Sequence, residues 1–158
     1  MSIGGRIKVL VIDRTRMPFL KEAQDLYLKR LSHYTKLDWI EIKPLAHKSW
    51  SVQMILSQEA RLIKKRIAPG DYVIALDREG KTYTSEDFAS HLHDLIQVSR
   101  PLVFIVGGPS GIDQRLLLDA NETLSLSTMT LTHEWSRVML LEQLYRGFTI
   151  IRGESYHK

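Results

Sequence analysis

The chain has 158 residues, 44% of them hydrophobic and 25% charged, a length and balance suited to one ordered domain, 1–158, with its own core. It has no cysteine, which excludes a disulfide framework, thiolate zinc sites and a cysteine nucleophile. No apolar stretch is long enough for a signal peptide or a bilayer span, so a cytoplasmic protein with no membrane partner is expected, and the net charge of +4 favours a polyanionic partner, because each neutralised phosphate releases counterions.

Arg6 to Ile12 reads as a buried strand centred on Val9-Leu10-Val11-Ile12. Pro18 suits the first turn of a helix running to about Tyr34. Leu37 to Lys43 alternates as a second strand, and a loop follows from Pro44 to Ser49. Ser51 to Ile67 carries Ile55, Leu56, Ala60, Leu62, Ile63 and Ile67 at helical spacing. Its cluster Arg61, Lys64, Lys65 and Arg66 reads as a solvated face, with RNA contact as the alternative. Pro69-Gly70-Asp71 is a turn. Tyr72 to Leu76 is a third strand, and Arg78-Glu79-Gly80-Lys81 turns the chain again. Thr84 or Ser85 caps a helix ending near Val98. Pro101 to Val106 is the most apolar strand, followed by the glycine-rich turn Gly107 to Gly111 and a short helix from Asp113 to Ala120. Thr123 to Leu126 is a candidate last strand, Leu131 to Phe148 a long amphipathic helix, and Arg152 to Lys158 a tail. The alternation predicts an α/β fold with a largely parallel sheet flanked by helices.

In such sheets ligands bind beyond the carboxyl ends of the strands. Three strand ends qualify: Leu76-Asp77, Gly107 to Gly111, and Leu126 to Leu131. The glycine turn fails as a phosphate cradle. It lacks the G-x-G-x-x-G spacing and the Gly-Lys-Ser/Thr ending, and Pro109 has no N–H to offer. It fails as a nucleophile elbow too, because Ile112 stands where the last glycine belongs. What remains is a close approach of backbone to an uncharged or zwitterionic ligand, or a tight turn alone. The hydroxyl-rich segment Ser125 to Leu131 offers backbone groups and apolar side chains to an adenine, or ends a strand ahead of a helix capped by Thr132.

On the long helix, His133 with Arg137 and Glu142 with Arg146 stand four residues apart, so each pair shares a face. A salt-bridged solvent face is the plain reading. The tail carries Tyr156 and His157 between Arg152 and Lys158, more chemistry than a frayed terminus needs. His91 and His93 point to different helix faces, and His33 and His47 lack ligand neighbours, so no metal site is expected.

Phe104 to Gly111 (FIVGGPSG), Leu126 to His133 (LSTMTLTH), Arg137, Leu141 to Arg146 (LEQLYR) and Tyr156 to Lys158 (YHK), in this order and spacing, resemble the ribosomal large subunit methyltransferase H family. The resemblance implies a SPOUT-type fold with a C-terminal trefoil knot and a homodimer with its active site at the subunit interface. It implies methyl transfer from S-adenosyl-L-methionine (SAM) to N3 of a pseudouridine in 23S rRNA, on the assembled ribosome. By matching position, SAM would be held by Leu76, Gly107, Gly108, Leu126, Ser127, Thr128, Met129, Thr130 and Leu131. His157 is the first candidate to accept the N3 proton or stabilise the anion, with Tyr156 orienting the base. His133 and Arg137 would shape the pocket or hold phosphate, and Arg146, Arg152 and Lys158 would meet RNA. Three positions depart from the family pattern: Thr132 and Ser155 replace usual prolines (at 155, proline or alanine), and Asp13 stands near a usual glycine.

Overall fold

The computed structural model describes residues 5–45 and 47–157. The strands are β1 (Arg6–Ile12), β2 (Lys36–Ile42), β3 (Tyr72–Lys81), β4 (Leu102–Val106) and β5 (Glu122–Leu124). The helices are α1 (Pro18–Leu31), α2 (Val52–Lys64), α3 (Ser85–Gln97), α4 (Gln114–Asp119) and α5 (His133–Ile151). The sheet order is β2-β1-β4-β3-β5 and every neighbouring pair is parallel. Parallel pairing forces a crossover after each strand and helices on both faces, which is why the strands read as apolar runs.

Two apolar layers result. Ile7, Val9 and Val11 of β1 face one way, toward Leu92 of α3 and Leu140, Leu144 and Phe148 of α5. Leu10 and Ile12 face the other, toward Ala60 and Ile63 of α2 and Leu116 of α4. This is the period-two alternation of a pleated strand buried on both sides. β4, central in the sheet, is buried at all five positions. Among the described residues, no helix is long and apolar enough to cross a membrane.

Several element boundaries differ from the sequence reading; α2 ends at Lys64 rather than Ile67, and β5 is Glu122–Leu124 rather than Thr123 to Leu126. The turn expected at Arg78 to Lys81 is instead a continuation of β3, which shifts register against Leu124 between Leu76 and Lys81. Gly80 marks that irregularity, because a Cβ there would lie 2.8 Å from the Leu124 nitrogen. α1 stops at Leu31, where the Tyr34 and Thr35 N–H groups both donate to the Leu31 carbonyl. The Tyr34 ring then turns inward to stack on Phe148. α5 starts two residues later than expected, at His133, behind a Thr132 cap whose Oγ1 accepts from the Trp135 N–H. It runs to Ile151 and closes on Gly153 at φ +67°, with Gly153 N donating to Ile150 O at 3.0 Å and Glu154 N to Thr149 O at 2.8 Å. That paired-bond ending is the Schellman arrangement, and it aims the tail in a defined direction.

Candidate functional site

A cavity of about 670 Å³ opens at the carboxyl ends of β4 and β5, beside Leu76 to Arg78 within β3 and against the first turn of α5. All three segments singled out in the sequence converge on it, although Leu76-Asp77 lies within β3 and is not its end. Its walls are apolar, formed by Leu76, Val106, Leu126, Met129 and Leu131, and its polar rim holds Asp77, Arg78 and His133. Every residue expected to hold SAM lines it except Thr128, which is exposed and stands outside the lining.

The glycine turn is built on itself. Gly108 and Gly111 form a bridge, with Gly111 N donating to Gly108 O at 3.0 Å. A Cβ on Gly107 would sit 2.5 Å from the Gly111 carbonyl oxygen. The chain's own closure therefore demands the first glycine. The hydroxyls of the last strand-end loop also serve the backbone. Ser125 Oγ donates to Ser127 O at 2.9 Å, and Met129 N donates to Ser127 Oγ at 3.0 Å. This leaves Met129 and Leu131 turned outward at the mouth. Arg78, which sequence reading assigned to a turn, donates from Nη1 to Thr130 Oγ1 at 3.1 Å and ties β3 to this loop. Its place on the rim follows from the register shift around Gly80, a feature with no signal beyond the glycine itself.

His133 lines the cavity; burial, then the positive charge of Arg137, lowers its pKa from the ordinary 6.5 and favours the neutral ring. Arg137 itself is fully buried and does not line the cavity. Its guanidinium donates to the Ile12 carbonyl and, at 3.0 Å, to Thr15 Oγ1, while its Nε has no hydrogen-bond partner among the described residues. The solvent face read for His133 and Arg137 is thus an interior one. Burial pulls the Arg137 pKa down, and the carboxylates of Glu134, Glu41 and Asp13 oppose it.

The tail forms a second group that folds back against the middle and later turns of α5. Arg146 pairs with Glu142 at 2.5 Å, donates from Nη1 to His157 Nδ1 at 3.1 Å, and lies 4.8 Å over the Tyr156 ring. The Tyr156 hydroxyl donates to Glu142 Oε1 at 3.1 Å and meets the Tyr27 hydroxyl at 3.3 Å. Burial and that Tyr27 contact push the Tyr156 hydroxyl above its ordinary pKa. His157 Nε2 lies 2.8 Å from Glu86. A guanidinium can only donate, so Nδ1 is the acceptor toward Arg146 and Nε2 faces the Glu86 carboxylate. Arg152 stacks over Tyr34 at 4.6 Å. Lys158 lies outside the described residues. Arg146, read from the sequence as an RNA contact, here carries the tail and Glu142. From His133 at the cavity to Arg146 in this cluster, the helix runs unbroken for about 20 Å.

A family profile described as "Predicted SPOUT methyltransferase" matches residues 6–157. The chain belongs to the SPOUT methyltransferase family. Among the curated relatives, "Ribosomal RNA large subunit methyltransferase H" of Caldicellulosiruptor saccharolyticus is 39% identical over 153 residues, covering 96% of this chain and 99% of the relative. The protein of the same name from Clostridium botulinum (strain Kyoto) is 42% identical over 161 residues, again covering 96% and 99%. The solved structure of "a probable methylase family protein" from Haemophilus influenzae superposes with a TM-score of 0.57. It covers 96% of this SPOUT chain and 70% of the other at 12% identity, so that likeness is one of fold alone.

Proposed function

We propose that this methyltransferase acts as a homodimer and moves the methyl group of SAM to N3 of a pseudouridine in 23S rRNA, on the assembled ribosome. The observation that carries the rRNA reading is the near full-length similarity to proteins named for large-subunit rRNA methylation. A C-terminal trefoil knot, a single domain over 1–158 and a cytoplasmic location belong to the same reading.

The cavity fits the methyl donor. Its apolar walls suit an uncharged adenine, and the opposed charges of Asp77 and Arg78 at the rim suit a zwitterionic amino-acid tail. Pro109 removes an N–H from the turn, which disfavours a polyphosphate instead. SAM supplies an electrophilic methyl group when bound, so no side chain need act as nucleophile. The chain's work is to hold the base at attack distance and to take up its N3 proton.

His157 is the residue we assign to that proton, with Tyr156 orienting the base. In one protomer the two are held by Glu142 and Arg146, about 13 and 20 Å along α5 from His133 at the cavity, which supports a site completed by a second copy. An apolar face supports the same conclusion. Trp135 and Met139 are exposed at i, i+4 positions of α5, Leu131 is exposed just ahead of the helix, and Phe19 of α1 lies 5.9 Å from the Trp135 ring. Such a patch beside a site suits an isologous dimer, in which each tail meets the partner's cavity. In that setting the Nδ1 lone pair of His157, engaged by Arg146 in the single chain, must be released or shared for the proton to be accepted.

Mass mapping of 23S rRNA from cells lacking the protein tests the proposal. One methyl group should be missing and should return when purified protein and SAM are added to the ribosomes. An unchanged methylation map, or no heat of SAM binding by calorimetry, overturns it.

A further inference from the structure

The loop between β1 and α1, Asp13 to Met17, is held more firmly than a surface connection requires. It leaves the sheet at the same edge as the cavity, beside the end of β2, where Asp13 N donates to Ile42 O at 2.8 Å. Asp13 itself is left-handed, at φ +67°, a conformation that costs a non-glycine residue energy unless the surroundings impose it.

The tethers come from the first turn of α5. Glu134 Oε1 accepts from both Arg16 N, at 2.5 Å, and Met17 N, at 3.1 Å. Arg137 donates to Ile12 O and Thr15 Oγ1, and Thr15 Oγ1 in turn donates to the buried Gln24. A fully buried guanidinium whose Nε has no hydrogen-bond partner among the described residues is an expensive device. Among the described residues its hydrogen bonds go to the carboxyl end of β1 and this loop. The loop in turn presents cations. Arg14 and Arg16 are exposed, Arg16 is steadied by Asp13 Oδ2 at 2.6 Å, and Lys43 is exposed at the adjoining end of β2.

We infer that Asp13 to Met17 is a preset phosphate-contact loop for the RNA, and that Arg137 and Glu134 are positioning residues that fix it relative to the cavity. The inference rests on the rRNA methyltransferase reading. Because the first turn of α5 both lines the cavity through His133 and bolts the loop, a backbone phosphate gripped by Arg14 and Arg16 stands at a fixed span from the methyl donor. A strand docked there brings its neighbouring base to the mouth in register.

The test uses full-length protein and 70S ribosomes from cells lacking it, with kcat/KM followed against KCl concentration. The double variant Arg14→Ala/Arg16→Ala should lose about tenfold or more in kcat/KM, and its salt slope should flatten by about one to two. SAM affinity by calorimetry and kcat at saturation should stay at wild-type values. Glu134→Ala discriminates positioning from charge. Removing an acid strengthens RNA binding if only net charge matters, whereas loss of the tether raises KM for ribosomes. Arg137→Gln should also raise KM more than it lowers kcat, and should add little in the Arg14→Ala/Arg16→Ala background. An unchanged salt slope in the double variant, tighter RNA binding by Glu134→Ala, or a double variant that sediments as a monomer overturns the inference, the last by making the loop a subunit contact. Failure of the wild-type protein to methylate ribosomes sinks the functional reading instead, so the two failures are distinguishable.

Discussion

Replacing Gly107 by alanine adds one methyl group to the tightest point of the cavity. The new Cβ would lie 2.5 Å from the Gly111 oxygen, 2.7 Å from its carbonyl carbon and 2.8 Å from Ile112 Cγ1. The isoleucine tip can swing away, but the backbone carbonyl cannot without moving the turn. Ordinary contact begins near 3.4 Å, so the Gly111 segment must retreat by about 0.9 Å. Overpacking of this kind costs about 1–3 kcal/mol, and a displacement near 1 Å at a site that works by alignment costs about 100-fold in rate. Gly111→Ala is the natural comparison. It meets nothing within 4 Å but sits at φ +87°, so its penalty of about 1 kcal/mol is conformational and leaves the walls in place. Urea unfolding, SAM calorimetry and single-turnover methylation of ribosomes separate the two. Gly107→Ala should lose stability, donor affinity and rate together, and Gly111→Ala mainly stability. Wild-type donor affinity and rate in Gly107→Ala would refute the claim that the turn's self-closure shapes the cavity.

Three further outcomes are expected. Thr132→Ala removes the cap of α5 and should lower unfolding free energy by about 1 kcal/mol in urea titrations. His133 has a folded pKa below its ordinary 6.5, so the unfolded chain binds its proton more readily. Stability should therefore fall as pH drops from 7 toward 5, and His133→Gln should flatten that part of the pH–stability curve. Trp135→Glu puts a charge into the apolar face of α5 and should shift the protein to monomer in sedimentation velocity. Methylation should disappear with it while SAM still binds.

Much of the sheet was legible because parallel strands buried on both faces leave unbroken apolar runs, as in Val9 to Ile12 and Leu102 to Val106. The cavity was legible for a related reason. Strand ends in such a sheet share one edge, so three loops far apart in sequence could be named together. Local chemistry also announced two caps, since Thr84 and Thr132 both accept from the first turn of their helices. What stayed hidden depends on distant partners. Arg137 looks like a surface residue beside His133, and only Ile12 and Thr15, more than 120 residues earlier, make it an interior one. Arg78 joins the cavity rim through a register shift that the glycine at position 80 permits but does not announce. The return of the tail to Glu142 and Arg146 was invisible for the same reason: following α5 in sequence says nothing about which of its turns the tail packs on.

The Schellman closure at Gly153 makes the length of α5 a specification. One residue inserted between His133 and Arg146 would rotate everything beyond it by about 100° and push it about 1.5 Å along the axis. The Arg146–Glu142–Tyr156 assembly would turn away from Tyr27, although every side chain remained present. The helix therefore acts as a gauge, and its register, more than the identity of any residue on its outer surface, sets the tolerance for insertions and deletions in this part of the chain.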